Sequence, residues 1–231
     1  MIALISNKIA EKFKNATGIK TLGLKPYGKL DKPVNSHADM LICLIDKTIF
    51  CYSDYYDQNI DLFSHIKGHT IIKSTHQCKA NYPYDIGLNV LVIGNRIFCK
   101  RNYVASEILE YANNNKYKIV DVKQGYSCCS TLVVDENSAI TSDKRMYDVL
   151  TKEGIDTLLI STNDIKLEGY NCGFVGGCGC FLGKTAYFFG SVEKLREKNE
   201  IEQWLKNKNC EIASIFQGDV SDFGGVKFVF N

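Results

Sequence analysis

The chain has no long apolar run, almost no arginine and no excess of one charge, and each shortage removes a class of protein. Its longest hydrophobic stretches, such as Leu88-Asn89-Val90-Leu91-Val92-Ile93, fall far short of the ~18–20 residues that cross a bilayer, so no membrane partner is expected. Met1-Ile2-Ala3-Leu4-Ile5 meets polar Ser6-Asn7-Lys8 too soon for a secretory signal, and no small-residue cleavage site follows, so a cytoplasmic location is expected. Arg96, Arg101, Arg145 and Arg196 are the only arginines among 28 basic residues, and the net charge is +2. Few bidentate donors are therefore available for phosphates or bases, which argues against a nucleic-acid partner. Glycine pairs occur, but without phosphate-loop spacing. Cysteine, by contrast, is abundant, with ten residues in 231. In a reducing compartment these are thiols, metal ligands or catalytic groups rather than a disulfide framework.

At 45% hydrophobic and 23% charged, the chain can bury a substantial core, which excludes disordered and fibrous classes. An internal repeat organises it. Leu41–Ile45, the turn Asp46-Lys47 and Thr48–Tyr52 read as a hairpin leading into a helix at Ser53. Leu88–Lys100 repeats the pattern around Gly94-Asn95, with a second Ile-Phe-Cys triplet, and leads to a helix at Asn102. Leu132–Thr141 and Cys180–Phe189 are two further hairpins, leading to helices at Ser142 and Ser191. Each helix is followed by one more apolar strand, at Thr70–Ile72, Ile119-Val120, Thr157–Ile160 and Glu211–Ile215. The unit is strand, strand, helix, strand. A fifth copy is divided between the chain ends: Val226–Phe230, then Ile2–Ile5, a helix over Asn7–Ala16, and Thr21–Leu24. The helix starts, counting Ser6, recur at intervals of about 40–49 residues. The expectation is an α+β fold, a single domain over residues 1–231: a five-bladed α/β propeller whose terminal strands pair to close the ring.

In such a ring, equivalent positions of successive units converge. The segments leading into the first strands are Ser36-His37-Ala38-Asp39, Tyr84–Asn89, Gly125–Thr131, Tyr170–Cys178 and Asp219–Gly225. A histidine, carboxylates, an amide, thiols and glycines fall at one level, which is the material of a cysteine-nucleophile site. The five units, the His-x-Asp of His37 and Asp39, and the Cys-Ser-Thr of Cys129-Ser130-Thr131 together resemble the pentein superfamily of guanidine-modifying enzymes. That superfamily includes dimethylarginine dimethylaminohydrolase, arginine deiminase and agmatine deiminase.

The resemblance implies a cysteine-dependent hydrolase or deiminase acting on a C–N bond of a guanidine or amidine, with a small cationic substrate and no metal or other cofactor. Cys129 would be the nucleophile, with Cys128 as the alternative, and His37 the proton donor and acceptor. Asp39, Asp222 and Asn89 would contact the substrate. Asp222 stands one residue out of register with the family's Glu-Gly-Gly, and Phe174–Gly177 carries no carboxylate; Asp85 and Asp219 are the other carboxylates at this level. A different class stays open: a non-catalytic ring used for binding, as in the ribosome anti-association factors of the same architecture, or a degenerate enzyme that binds a ligand. Cys43, Cys51, Cys99 and Cys210 fall in strand patterns and read as core. Cys172, Cys178 and Cys180 lack zinc-knuckle spacing. The glycine pairs Gly176-Gly177 and Gly224-Gly225 read as places of close backbone approach.

Overall fold

A run such as Ile2-Ala3-Leu4-Ile5 has no polar alternation, which suits a strand covered on both faces. In the computed structural model, which describes residues 1–230, it forms β1 (Ile2–Ser6), buried along its whole length. β2 (Lys20–Leu24) lies parallel beside it. Next come β3 (Ile42–Ile45), β4 (Thr48–Tyr52) and β5 (Thr70–Ser74), then β6 (Leu91–Ile93), β7 (Arg96–Cys99) and β8 (Lys118–Asp121). β9 (Thr131–Asp135), β10 (Ser138–Thr141) and β11 (Asp156–Leu159) follow, then β12 (Gly179–Leu182), β13 (Thr185–Phe188) and β14 (Glu211–Ser214). Each trio is an antiparallel hairpin whose second strand pairs in parallel with the third. Finally β15 (Val226–Val229) returns to β1, antiparallel, with Ile2 opposite Val229 and Leu4 opposite Lys227.

The described residues thus form an α+β fold of five three-stranded sheets, none of which closes on itself. The central strands β1, β4 and β10 are buried along their whole length, while the last strands β5, β8, β11 and β14 are half exposed. Helices between the parallel strands bury residues four apart: Ile108 and Ala112, Met146 and Leu150, Ile201 and Leu205. No helix of the described residues is long and apolar enough to cross a membrane.

The helix expected at Ser53 begins there, as Ser53–Gln58, but the other starts differ from expectation. Short 3-10 turns at Arg101–Tyr103 and Val192–Lys194 precede the helices Ser106–Asn114 and Lys198–Lys206, and the first helix begins at Ala10. The helix Lys144–Lys152 is capped by Asp143, whose carboxylate accepts from the Met146 N–H at 2.9 Å, not by Ser142. The junction serines Ser6 and Ser142 are buried, and their hydroxyls bond to neighbouring units. Ser142 Oγ accepts from the Val175 N–H at 3.1 Å, and Ser6 Oγ meets Ser36 Oγ at 2.8 Å. Leu88-Asn89-Val90, expected as strand, lies outside β6, with the Asn89 amide taken up by the units on either side.

Candidate active site

His37 is the residue before a four-residue helix, Ala38–Leu41, that interrupts the expected run from Ser36 into strand. Cys128 and Cys129 lie in a turn ahead of β9, and Asp222 lies in the loop ahead of β15. These segments come from three units and meet through close backbone approach. A Cβ on Gly177 would stand 1.8 Å from Asp222 Oδ1, and one on Gly224 would stand 2.3 Å from His37 Cβ. Gly224 also has φ +80°, a conformation that only glycine adopts without strain. The glycine pairs are therefore what lets the polar side chains approach one another.

His37, Cys129 and Asp222 line one cavity of about 330 Å3. Asp222 is fixed from behind: the Phe174 N–H donates to Oδ2 at 2.9 Å and the Gly224 N–H to Oδ1 at 3.0 Å. His37 Nδ1 stands 3.6 Å from Asp222 Oδ1, just outside hydrogen-bonding distance. Burial pushes the imidazole down to about 3, so His37 is neutral near pH 7. Burial, followed by the charge of Asp39, holds the Asp222 carboxyl above the usual carboxylate range. Burial again, then Asp39 and Asp222, holds the Cys129 thiol well above its ordinary value. Without a bound cation the site therefore carries a neutral imidazole and an un-ionised thiol.

Asp39 and Cys128 face a second cavity, of about 300 Å3, which shares no lining residue with the first. Lys227 is also there, its Nζ donating to Cys128 Sγ at 3.1 Å. Asp39 is only 2% exposed, and neither carboxylate oxygen has a hydrogen-bond partner. Burial accordingly raises its pKa. Its charge nevertheless reaches Cys129 and Asp222, so it stands between the two cavities electrostatically.

Asn89, expected against substrate, is 0% exposed and lines neither cavity. Its Nδ2 donates to Cys129 Sγ at 2.8 Å and to the Asp39 carbonyl at 3.1 Å, while Oδ1 accepts from the Cys128 N–H at 2.9 Å. The amide pins the cysteine turn to the histidine segment. Asp85 lies behind Tyr126, whose hydroxyl donates to it at 2.6 Å, and Asp219 is exposed; neither reaches the cavity.

The sequence reading did not single out Met40, Tyr126, Tyr170 and Phe174 on the cavity wall, or Lys227. Tyr126, Tyr170 and Phe174 sit inside the very segments that lead into the strands, so a search there for aromatics would have found them. Lys227 is a lysine in an otherwise apolar terminal strand, a signal of equal quality. All ten cysteines are free thiols; Cys43, Cys51 and Cys99 are core, Cys210 is half-buried, and Cys172 lines the histidine cavity. A wider hollow of about 550 Å3 lies among hairpin turns at Asp46, Gly94 and Glu136 and contains none of the candidate residues.

Residues 3–227 match a protein family described as a family of unknown function, DUF6873. No curated protein matches the chain. Among solved structures, it is similar to DDAH from Pseudomonas aeruginosa in complex with citrulline, at 6% identity over 92% of this chain and 91% of that one, TM-score 0.54. It is also similar to the C. jejuni agmatine deiminase with substrate bound, at 12% identity over 93% and 87% of the two chains, TM-score 0.56. A third is SxtG, an amidinotransferase from Microseira wollei in the saxitoxin biosynthetic pathway, at 11% identity over 96% and 83%, TM-score 0.53. All three are pentein-superfamily members, and the fold is similar to theirs.

Proposed function

The chain belongs to this family of unknown function, DUF6873, and we propose that it is a cysteine-dependent enzyme that hydrolyses a C–N bond of a guanidine or amidine. The observation that carries this reading is the single cavity lined by His37, Cys129 and Asp222, three groups of complementary chemistry delivered by three separate units. The similarity to solved guanidine-modifying enzymes supports it. We infer in addition that residues 1–231 are one domain whose five sheets are blades of a ring. The β15 to β1 pairing and the bonds between successive units, such as that from the Asp39 N–H to the Gly224 carbonyl at 3.1 Å, support that arrangement.

The electrostatics suit a cation. Two buried carboxylates, Asp39 and Asp222, repel each other and suppress the thiolate until a guanidinium or amidinium enters and neutralises them. The cation then favours ionisation of Cys129, whose proton passes to neutral His37. The thiolate attacks the guanidinium carbon and forms a C–S bond. His37 returns the proton to the departing nitrogen as its C–N bond breaks, leaving a thiouronium on Cys129 and releasing ammonia or an amine. Water, deprotonated by His37, then adds to the same carbon and expels the thiolate, giving a urea or amide product. Asn89 positions the cysteine turn and does not touch substrate.

The neutral thiol of the unliganded site also favours a second reading, a binding protein that holds a cation without turning it over. One experiment separates the two. A cationic haloacetamidine should alkylate Cys129 faster than neutral iodoacetamide does, and a panel of guanidines and amidines should release ammonia or amine in a Cys129-dependent manner. Tight binding with no release from any member would leave the binding protein standing and the enzyme rejected.

A further inference from the structure

We propose that the compound taken by this cavity carries an apolar or aromatic tail and no carboxylate. The inference rests on the function proposed above, since it takes Asp222 and Cys129 to hold the cationic head. From that floor the cavity wall runs outward over Met40, Val34, Tyr126, Phe174 and Leu167 to Tyr170 at the rim, which is 47% exposed. The Tyr126 and Phe174 rings lie 6.2 Å apart at 34°, a wall that an aliphatic chain or a ring can cover.

No lysine or arginine lines the cavity among the described residues. A substrate of the α-amino acid type would therefore lay its carboxylate against apolar surface without a partner, which costs affinity unless a cation or a hydrogen-bond donor receives it. The second layer adds to the discrimination. The Tyr126 hydroxyl donates to Asp85 at 2.6 Å, and the Tyr170 hydroxyl to Asp31 at 2.7 Å, so the two tyrosines are backed by negative charge. An anionic tail meets repulsion there, whereas a neutral one does not. Lys8 and Lys166 line an adjoining hollow that shares His37, Leu167 and Asp222 with this cavity; there Glu168 offsets their charge, and Lys8 Nζ is spent on the Pro33 carbonyl at 3.0 Å.

The test uses a matched pair on the full-length protein, butylguanidine and 4-guanidinobutanoate, with benzamidine as the aromatic member. Binding is read by calorimetry and turnover by product release. The expected result is that butylguanidine and benzamidine bind at least about tenfold more tightly than the carboxylate compound. Phe174→Ala should weaken the two neutral-tailed compounds, and Asn171→Arg, at an exposed rim position, should recover affinity for 4-guanidinobutanoate. Equal or tighter binding of 4-guanidinobutanoate to the wild-type protein would overturn the proposal while leaving the hydrolase reading intact. Preference for the neutral tails without turnover would sustain the specificity and reject the hydrolase. Failure of every guanidine and amidine to bind would reject both.

Discussion

Cys128 and Cys129 are neighbours in sequence, yet they line different cavities, one facing Lys227 and the other Asp222. Cys129 shares its cavity with His37 and Asp222, accepts a hydrogen bond from Asn89, and feels two carboxylates that oppose ionisation. Cys128 receives the Lys227 ammonium at 3.1 Å, and although burial, with the Asp39 charge, holds its thiol above the usual range, that ammonium pulls the other way. In the unliganded protein, therefore, the better-supported thiolate is Cys128, the one away from His37. Both thiols are suppressed by burial, and the proposed nucleophile is the more suppressed of the two. The cavity with the more suppressed thiol is the one poised to respond to a cation, because a cation changes its balance most.

The largest effect that could break this comparison is a division of labour between the two thiols. Cys129→Ser is expected to reduce guanidine or amidine turnover by roughly 10⁴-fold or more, and Cys128→Ser to retain most of it. Steady-state product release checks both variants, with circular dichroism to confirm folding. The reverse pattern would move the nucleophile to the Lys227 cavity and leave His37 without a role. Equal losses would mean that the turn itself, pinned by Asn89, is what each substitution disturbs.

A smaller effect concerns Asp39, the unpartnered carboxylate between the two settings. Burial raises its folded-state pKa, so its ionised form is tolerated at a cost. For a carboxylate shifted upward, stability is full below the unfolded value near 3.8 and falls as pH rises from there toward the folded value. Asp39→Asn removes that penalty. The variant should be more stable than wild type by about 1–3 kcal/mol near pH 8, with the gain vanishing below about pH 4, while losing guanidine affinity. Denaturant titrations at the two pH values measure it. A gain that persists at low pH would show that the charge is not the cause.

Much of this was legible in the sequence. Each central strand is a short apolar run, so hydrophobic pattern alone located the hairpins and the terminal strands that pair. The repeat then aligned the segments bearing His37, Cys129 and Asp222, which the structure places on one cavity. Other features depend on neighbours from distant units. Asn89 reads as a polar group at the right level, but whether its amide is spent on protein or left for a ligand depends on Cys128, Cys129 and Asp39, 39 to 50 residues away. Likewise the repeat identifies a level but not which cavity each side chain enters. His37 and Asp39, two residues apart, turn out to face different ones.

The finest probe of the comparison is Lys227. It lies opposite Leu4 in the sheet that joins the chain ends, and its ammonium reaches Cys128 from there. Burial works against the ammonium, but the Cys128 sulfur and the Asp39 charge hold it protonated. Lys227→Met keeps the length and apolar stem of the side chain while deleting the charge. The expected outcome at pH 8 is a fall of roughly 3–10-fold in the rate at which iodoacetamide labels Cys128, because the thiolate fraction there loses its counter-charge. Labelling of Cys129 by the same neutral reagent should fall little, since burial and two carboxylates already suppress that thiolate. Fragmentation of the shared peptide in tandem mass spectrometry resolves the two adjacent sites. If Cys129 slows as much as Cys128, Lys227 acts on both thiols through Asp39, and the two cavities are one electrostatic system. If only Cys128 slows, the contrast between neighbouring thiols is set by which charge each one meets.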